Sequence, residues 1–401
     1  MKILHVIAAL YPERGGPAKV GPEMCSALVK KGVDVSIYTT NLNISGTLDV
    51  PTDRAVVQDD VPVYYFPTSG MRQYGFSLPL AEALRSKIPT FDLVHIHSLY
   101  MFHTTASAHF CRKYEVPYII RPHGTLDPYL RRKSRIKKGV YNLFLEKRNL
   151  DKASAIHYTS EEEMILAHRP MNIQSPGVVV PLGLNPEDYT NLPAPDSFRN
   201  RYPECRGKFL YLFLGRLDFK KGLDLLCKAF GEIARQRGDV HLVIAGPDEM
   251  GCTQQMRIWL AEEGIIDRVT FTGMLSGKEK LAAFRDADVF VLSSYTENFG
   301  VALVEAMASG IPVVISDRVN IWREIAAAEA GLVTKCNPDD VYRGMSQLLK
   351  DPDLRTKLGR NARELVADRY TWDKNIDSMI DVYARIINGE LLTVDKSDIN
   401  K

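Results

Sequence analysis

Near its start the chain reads Lys2-Ile3-Leu4-His5-Val6-Ile7-Ala8-Ala9, a short apolar run that is rich in isoleucine and valine. A loop containing glycine follows, then a helix-like segment from about residue 17 to 31, Gly32, and a second apolar run over 33–40. This order predicts a strand, a loop, a helix and a second strand.

The same order of segments returns in the second half of the chain. Residues 208–214 are apolar, 215–222 form a loop, 223–237 have a helical pattern, and another apolar run covers 240–245. The start of the unit, the glycine before the helix and the glycine after it all recur at an offset of 206 residues. Near-continuous apolar strands that alternate with amphipathic helices are typical of parallel sheets with both faces covered. We therefore predict an α/β protein with two doubly wound halves of similar size.

A stretch rich in proline and asparagine, 181–203, separates the halves and indicates either a linker or an irregular domain edge. We predict an N-terminal Rossmann-like domain over 1–190 and a C-terminal one over 191–372. A helix over about 373–390 is expected to pack back on the first domain, and 391–401 is read as a polar tail. Because ligands bind at the carboxyl ends of the strands in such sheets, the expected site is the cleft between the domains.

Composition excludes several classes of protein. The chain has 401 residues, with 51 Lys and Arg against 49 Asp and Glu, so its net charge of +2 argues against general binding of polyanions. No stretch approaches the roughly 20 apolar residues that a membrane-spanning helix needs. The six cysteines are scattered without a Cys-x-x-Cys pair, which predicts neither a zinc knuckle nor a disulfide framework and favours a reducing, cytoplasmic location.

The loop after the first strand of the second half contains Arg216 and Lys221, directly before the predicted helix at Leu223. Arginine binds phosphate oxygens through two donors, and the start of a helix adds backbone N–H groups. The loop is therefore a candidate grip for a diphosphate. The alternative is a basic loop that is simply solvated.

Two glutamates, Glu297 and Glu305, lie eight positions apart around the start of another predicted helix near Gly300. The free N–H groups of Gly300, Val301 and Ala302 are expected to face an anion. One carboxylate can accept from a ribose diol and the other from a sugar hydroxyl, since ionised carboxylates only accept hydrogen bonds. The alternative is an acidic residue that favours the helix dipole plus an exposed helical glutamate.

These two motifs stand in a specific order along the chain. Gly215-Arg216 and Lys221-Gly222 come first, and Glu297-Asn298-Phe299-Gly300 with Glu305 follows about eighty residues later. In this order they closely resemble the retaining glycosyltransferases of family 4, which have the GT-B fold of two Rossmann-like domains facing a central cleft. The resemblance extends over nearly the whole chain.

The resemblance implies transfer of a sugar from a nucleotide-sugar donor, with retention at the anomeric carbon. Arg216 and Lys221 correspond to the pair that neutralises the diphosphate leaving group. Glu305 is similar to the family's ribose ligand and Glu297 to the carboxylate near the donor sugar's hydroxyls. The donor site is completed by residues around the start of the helix, namely Phe299, Gly300, Val301 and Ala302.

Features of the N-terminal half match the family as well. Gly15-Gly16 follows the first strand, where family members bring the backbone close to the donor phosphate and acceptor, and glycine permits such an approach. His123-Gly124 follows the strand-like run 118–121 and resembles the family's His-Gly, whose imidazole contacts the donor sugar. Lys19 stands where the family often has histidine. The structural alternatives are a tight turn for the glycines and a core role for the histidine.

Two further positions border the nucleotide in the resemblance. Gly246 corresponds to the turn beside the nucleotide, and Met274 to the residue whose backbone lies along the base; both are also ordinary turn positions. Arg216, Lys221 and the helix start supply positive potential where negative charge develops, so no metal is expected. Asp286-Ala287-Asp288 precedes a strand at its amino end and is read as structural. Retention through a double displacement and through a same-face substitution both stay open.

The segment 131–148 carries eight cationic residues against Glu146, a net charge of +7. Interleaved apolar residues make it either a basic amphipathic helix that contacts an anionic membrane or a phosphorylated acceptor, or a merely solvated helix face. No recognised nucleic-acid-binding module accompanies it, so a nucleic-acid partner is not expected.

The sequence thus predicts a retaining hexosyltransferase that moves glucose from a UDP-sugar to a saccharide or lipid-linked saccharide in polysaccharide or glycoconjugate synthesis. The alternatives are a transferase of the same family that uses a GDP-sugar, a nucleotide-sugar epimerase of the same architecture, and a noncatalytic subunit that binds sugar nucleotides. No cofactor is expected beside the donor. The expected location is the cytoplasm or, peripherally, the inner face of the plasma membrane.

Overall fold

The computed structural model describes residues 1–11, 15–44, 46–70, 74–129, 145–248 and 250–390. Contacts between Cα atoms divide the chain into two compact units. The first consists of Met1–Gly183 with Trp372–Lys401, and the second of Leu184–Thr371. The predicted polar tail, 391–401, lies outside the described residues, as does most of the basic segment 131–148.

The first unit contains one large sheet. Its strands, with the small hairpin β3–β4, are β1 (Lys2–Ala9), β2 (Asp34–Thr40), β3 (Leu42–Asn43), β4 (Gly46–Thr47), β5 (Val56–Gln58), β6 (Val61–Phe66), β7 (Leu93–His97), β8 (Tyr118–Arg121), β9 (Ala155–Tyr158) and β10 (Gly177–Val179). The order in the sheet is β10-β9-β8-β7-β1-β2-β6-β5, and all neighbours are parallel except the pair β5 and β6. The central strands are buried along their length, as expected for a sheet covered on both faces.

Helices of the first unit connect these strands. They are α1 (Gly16–Lys30), α2 (Leu78–Lys87), α3 (Phe102–Tyr114), α4 (Lys147–Asp151) and α5 (Glu161–Met171). The start of α2 is fixed by Ser77, whose hydroxyl accepts from the Leu80 N–H at 3.2 Å. A core of buried aliphatic and aromatic side chains lies between the sheet and these helices.

Among its described residues, the second unit has six strands, all parallel. They are β11 (Phe209–Leu214), β12 (Val240–Ala245), β13 (Val269–Gly273), β14 (Val289–Leu292), β15 (Val313–Ser316) and β16 (Gly331–Thr334), in the sheet order β13-β12-β11-β14-β15-β16. This is the Rossmann order, in which the chain builds outward from β11 in one direction and then returns to build outward from β14. The prediction of an α/β protein with two Rossmann-like halves is confirmed.

Helices flank the sheet of the second unit, and one further helix returns to the first unit. The helices of the second unit are α6 (Ser197–Arg201), α7 (Leu223–Gln236), α8 (Cys252–Glu262), α9 (Gly277–Asp286), α10 (Val301–Ala308), α11 (Trp322–Ala327), α12 (Pro338–Lys350) and α13 (Pro352–Arg369). The helix expected over 373–390 is α14 (Trp372–Ile387), and it packs against α1 in the first unit. Within the described part of the chain, no helix is both long enough and apolar enough to cross a bilayer.

The proline-rich stretch 181–203 is an ordered edge of a domain for most of its length, from Leu184 onward, rather than a linker. It contains a 3-10 helix, Pro186–Tyr189, and α6. The carboxylate of Asp286 holds α6 by accepting from the backbone N–H groups of Asp196, Phe198 and Arg199 at 2.9, 2.8 and 3.2 Å. The interpretation of Asp286-Ala287-Asp288 as structural agrees with these contacts.

Candidate functional site

The candidate site of the second unit lies where its strand order reverses. Strands β11 and β14 are neighbours, and their next partners, β12 and β15, lie on opposite sides. The loops that follow β11 and β14 therefore diverge, and the crevice between diverging loops is where open α/β sheets bind ligands. Arg216 and Lys221 follow β11, and Glu297 follows β14, so the topology brings the two sequence motifs together.

Two glycines let the loop after β11 pack closely against its neighbours, the end of β14 and the loop after β12. A Cβ built on Gly222, where φ is 62°, would lie 2.1 Å from the Ser293 carbonyl oxygen at the end of β14. A Cβ on Gly246, where φ is 147°, would lie 1.9 Å from the carbonyl oxygen of Gly215. Only glycine fits at either position without displacing the backbone opposite.

The loop after β11 is shaped by its own polar groups. Asp218 accepts from the Lys220 N–H at 3.1 Å and so begins a 3-10 turn over Phe219–Lys221. The Lys220 carbonyl accepts from the Tyr295 N–H at 2.7 Å, which ties this turn to the loop after β14. The turn ends at Gly222, where α7 begins, and thus holds both lysines at the ligand edge of the sheet.

Lys221 and Glu297 form an ion pair in which the ammonium donates to the carboxylate Oε2. Their side chains are only 14% and 13% exposed. Burial raises the pKa of Glu297, but the charges of Lys221 and Lys220, together with hydrogen bonds from Lys221 and the Asn298 backbone, outweigh burial, so the pKa lies below its ordinary value. Glu297 is therefore an ionised acceptor held next to a buried ammonium.

Lys220 is a third cation of this cluster, and sequence reasoning missed it because it lies directly beside Lys221 in the same loop. Burial lowers the pKa of Lys220, and the positive charges of Lys221 and Arg216 lower it further, against the opposing effect of Glu297. The Nε of Arg216 is buried and donates to no residue that the structure describes. Two lysines thus act on the carboxylate of Glu297, and Arg216 lies close enough to act on Lys220, so the cluster has an excess of positive charge that suits a diphosphate.

Glu305 lies on α10 and is 3% exposed. Its Oε1 accepts from the Tyr189 hydroxyl and from the Lys280 ammonium, both at 2.9 Å. Sequence reasoning missed Tyr189 and Lys280, because neither lies in a motif with Glu305. Tyr189 and Lys280 together hold the carboxylate of Glu305 in one orientation, as a ligand for a diol requires.

The start of α10 is arranged as expected, with one difference in what Phe299 does. The helix begins at Val301 after Gly300, whose φ is 76°, so the N–H groups of Val301 and Ala302 belong to its first turn. Phe299 is 4% exposed and packs edge-on against Tyr370 with ring centroids 5.3 Å apart. The Phe299 side chain is thus part of the core, and only its backbone is placed to meet a ligand.

Gly246 and Met274 lie together at the ends of neighbouring strands. The Gly246 N–H donates to the Gly273 carbonyl at 2.8 Å, and Met274 follows directly with 45% of its surface exposed. The expected border of the base is therefore an open edge next to the loop that carries Arg216 and Lys221.

In the first unit, Gly15 and Gly16 precede and begin α1. Gly15 has φ 79° and ψ −144°, outside the usual range of other residues, and Gly16 is the first residue of the helix. Residues 12–14 of the same loop lie outside the described part. Lys19, in the position where histidine is common in the resemblance, pairs with Glu23 at 3.7 Å.

His123 lies two residues beyond the end of β8, in a left-handed conformation with φ 54°, which is uncommon for a residue other than glycine. Ser98 and Tyr100, which follow β7, also have positive φ values of 75° and 62°. The Gly124 N–H donates to the buried Glu163 carboxylate at 3.1 Å and holds the turn. Strained backbone at adjacent strand ends is typical of ligand sites.

Behind His123 lies a group of buried histidines that sequence reasoning missed. His5, His95, His97 and His157 are at most 1% exposed. Burial lowers the pKa of His5 and of His157 to about 3, and Arg121 adds to the effect. Ring nitrogens of His5, His95 and His97 lie within 4.8 Å of one another, close enough to share a metal ion.

Of the basic segment 131–148, only its last four residues are described. Glu146 is buried, accepts from the Tyr100 N–H at 2.7 Å, and has a pKa that burial raises to about 7. Next to it is a mainly apolar groove of about 450 Å³, whose lining includes Leu78, Phe102 and Arg148.

Comparison with known proteins identifies relatives of both halves. Residues 196–365 match the family model described as glycosyl transferases group 1, and residues 15–183 match that of the glycosyl transferase 4-like domain. An uncharacterised glycosyltransferase of Methanocaldococcus jannaschii is 27% identical over 404 aligned positions, covering 93% of this chain and 95% of that protein.

Solved structures of similar fold span almost the whole chain. Sucrose-phosphate synthase from Thermosynechococcus elongatus has a TM-score of 0.77 at 20% identity, covering 97% of this chain and all of the other. HepE from Anabaena, in complex with UDP and glucose, has a TM-score of 0.77 at 16% identity, covering 96% of this chain and 99% of the other.

Proposed function

This chain belongs to the group 1 glycosyl transferases and has the GT-B fold, and from that premise we propose that it transfers a hexose from a UDP-sugar to a saccharide acceptor. The product keeps the anomeric configuration of the donor. The observation that carries the proposal is the cluster of Lys220 and Lys221 at Glu297, with Arg216 near Lys220, at the point where the strand order reverses.

The cation cluster provides the driving force for departure of the leaving group. As the bond from the anomeric carbon to the phosphate oxygen breaks, its electron pair goes to the diphosphate, and Arg216 and Lys221 lie where that charge develops. Fixed positive groups in a partly buried site stabilise such charge without reorganising. The first-turn N–H groups of Val301 and Ala302 add to this potential.

Glu297 has two partners in this scheme, one in the free protein and one in the complex. Without donor, its carboxylate is neutralised by Lys221. When the diphosphate attracts the ammonium, Glu297 becomes an acceptor for hydroxyls of the donor sugar. Glu305 binds the ribose diol, with Lys280 and Tyr189 keeping its carboxylate oriented.

UDP and glucose are the first choices for the donor. In support, the HepE structure of similar fold holds UDP and glucose. The acceptor is a saccharide or a lipid-linked saccharide in polysaccharide or glycoconjugate synthesis, and the first unit provides Gly15, Gly16 and His123 for the donor and acceptor. A GDP-sugar donor is the main competing proposal.

The experiment that tests this function combines the purified protein with UDP-glucose and a panel of saccharide acceptors. We expect UDP release that depends on the acceptor, and an NMR spectrum in which the new linkage has the α configuration of the donor. Acceptor-independent conversion of UDP-glucose to another UDP-hexose would favour the epimerase, and tight UDP binding without any turnover would favour the noncatalytic subunit.

We also propose that the segment 131–148 brings the protein to the cytoplasmic face of an anionic membrane. Its net charge of +7 and the adjacent groove, lined by Leu78, Phe102 and Arg148, support this. Vesicles of phosphatidylglycerol should bind the protein and vesicles of phosphatidylcholine should not. The double variant Lys137→Glu/Lys138→Glu should lose this binding. Equal binding of the unchanged protein to both kinds of vesicle would contradict the proposal.

A further inference from the structure

A continuous chain of hydrogen bonds runs through the centre of the first unit and ends at His123. It links strands β9, β7 and β1 and helix α14. From the far end its members are the Val180 carbonyl, His157, His95, Tyr383, His5, His97 and His123. Successive polar atoms lie 2.8, 3.4, 2.6, 3.3, 3.0 and 3.1 Å apart.

The direction of every bond follows from the Val180 end. A carbonyl oxygen only accepts, so the Nε2 of His157 carries a proton and donates to it. A neutral imidazole has one N–H, so the Nδ1 of His157 can only accept. It therefore accepts a hydrogen bond from the Nε2–H group of His95. By the same rule the Nδ1 of His95 is an acceptor, and the donor that faces it is the Tyr383 hydroxyl.

Tyr383 sets the direction of the remaining hydrogen bonds, which run through His5 and His97 to His123. Its single hydroxyl proton is used toward His95, so its oxygen accepts from the Nε2 of His5. The Nδ1 of His5 then accepts from the Nε2 of His97. The Nδ1 of His97 accepts in turn from the Nε2 of His123. His123, when neutral, therefore has its proton on Nε2 and a lone pair on Nδ1.

The chain rests on neutral imidazoles, and their surroundings favour that state. Burial lowers the pKa of His5 and His157 to about 3, and it lowers the pKa values of His95 and His97 well below the ordinary value. The guanidinium of Arg121, itself fully buried, lowers all four further. At neutral pH the four rings each carry one proton.

We propose that this directed chain fixes the tautomer of His123, so that its Nδ1 meets a ligand as a hydrogen-bond acceptor for a hydroxyl group. The identity of that hydroxyl, one on the donor sugar, rests on the function proposed above. Tyr383 and His157 are positioning residues, since they act on the ligand only through His123. Tyr383 joins the histidine pair His157 and His95 to the pair His5 and His97, and it keeps the direction of donation the same on both sides.

A metal ion among His5, His95 and His97 is the competing explanation of the same cluster. A metal needs a lone pair from each nitrogen that binds it. The directed chain instead places a proton between His5 Nδ1 and His97 Nε2, which are 3.0 Å apart, and uses both nitrogens of all four buried rings. The two explanations therefore predict different tautomers for His97.

The test is the nitrogen NMR spectrum of protein labelled with 15N-histidine, recorded at pH 7.5 without ligand. We expect His123, His97, His5, His95 and His157 all to have the Nε2–H form, with His123 in at least about tenfold excess of that form. A majority of Nδ1–H at His123 would overturn the proposal. A stoichiometric metal in the purified protein, with His97 unprotonated at Nε2, would do the same.

Tyr383→Phe gives the second measurement, because phenylalanine can neither donate to His95 nor accept from His5. The Nδ1–H form of His123 should then rise at least several-fold, while the spectrum of His157 stays unchanged. The control is Tyr118→Phe, which removes another buried hydroxyl of the first unit, one that donates to the Asn149 carbonyl at 2.8 Å. The same tautomers in Tyr383→Phe as in the unchanged protein would contradict the proposal.

These spectra need neither donor nor acceptor, so they separate this inference from the proposed function. If no sugar is transferred but the tautomers are as stated, only the proposed function fails. If transfer occurs and His123 has the other tautomer, only the directed chain fails.

Discussion

The ammonium of Lys221 is paired with the carboxylate of Glu297 across the loops that follow β11 and β14, and both side chains are at least 86% buried. Removing only one partner of such a buried pair lowers the stability of the folded protein, because the other charge is left buried and uncompensated. Here the charge of Lys220 also acts on Glu297, and the charge of Arg216 acts on Lys220. The pair is therefore suited to open when an anionic ligand arrives.

Replacing Lys221 by methionine should lower kcat by about 100-fold or more, because one fixed positive group is removed from the departing diphosphate. Lys221→Arg should recover part of this loss. The control is Lys228→Met, which removes an exposed lysine from α7 and should leave kcat unchanged. Steady-state kinetics with UDP-glucose measures the effect, and a Lys221→Met enzyme that turns over normally would contradict the role given to Lys221.

Glu305→Gln should weaken binding of UDP by about tenfold or more, because a neutral amide accepts ribose hydroxyls less well than a carboxylate. The unchanged protein should also bind UDP more tightly than 2′-deoxy-UDP, and Glu305→Gln should lose most of this preference. Calorimetric titrations with both nucleotides measure the difference. Tyr189→Phe keeps the carboxylate and should have a smaller effect. An undiminished preference in Glu305→Gln would place the ribose elsewhere.

Gly246→Ala should destabilise the second unit by about 2–4 kcal/mol, because its Cβ would lie 1.9 Å from the Gly215 carbonyl oxygen at a φ of 147°. Gly238→Ala is the control, since a Cβ there has no neighbour within 4 Å. Urea denaturation of the two variants checks the prediction. Equal stability would mean that the loops after β11 and β12 are not in close contact.

The buried histidines, among them His5 and His157, make the free energy of unfolding decrease as the pH is lowered below 6.5. Their pKa values are lower in the folded than in the unfolded protein, so the unfolded chain binds more protons and the folded state loses stability toward pH 3. Each contributes a loss of about 1 kcal/mol between pH 6.5 and 5.5. Glu146, with a pKa raised to about 7, acts in the opposite direction over this range.

His157→Gln tests this pH dependence, since it should reduce the loss of unfolding free energy between pH 6.5 and 5.5 by about 1 kcal/mol. Denaturant titrations at the two pH values give the number. His109→Gln, at an exposed position of α3, is the control and should show the same loss as the unchanged protein. An equal loss in His157→Gln would mean that folding does not lower the pKa of His157.

Much of the second unit followed from its sequence, because its signals are local. A strand, a glycine loop and a helix in succession predicted β11, α7 and β12, and the strand order then brought Arg216, Lys221 and Glu297 to one edge. The offset of 206 residues predicted that the first unit has the same design. Motifs in loops at strand ends were found because the loop and its strand are adjacent in the chain.

The supporting residues could not be found in this way. Tyr189 reaches Glu305 across 116 positions, from a short turn that its prolines made look like a linker. Tyr383 reaches His95 across 288 positions, from a helix near the end of the chain. Such pairs depend on the packing of separate elements, on which the period of a hydrophobic pattern carries no information.

Calorimetric titration of the purified chain with UDP, GDP and ADP, without added metal, tests the central claim most directly. We expect UDP to bind in a one-to-one complex at least about tenfold more tightly than GDP or ADP, and Arg216→Met to weaken this binding. Tighter binding of GDP than of UDP would instead support the competing proposal, a GDP-sugar donor. Binding of none of the three nucleotides would contradict the diphosphate site built from Arg216, Lys220 and Lys221.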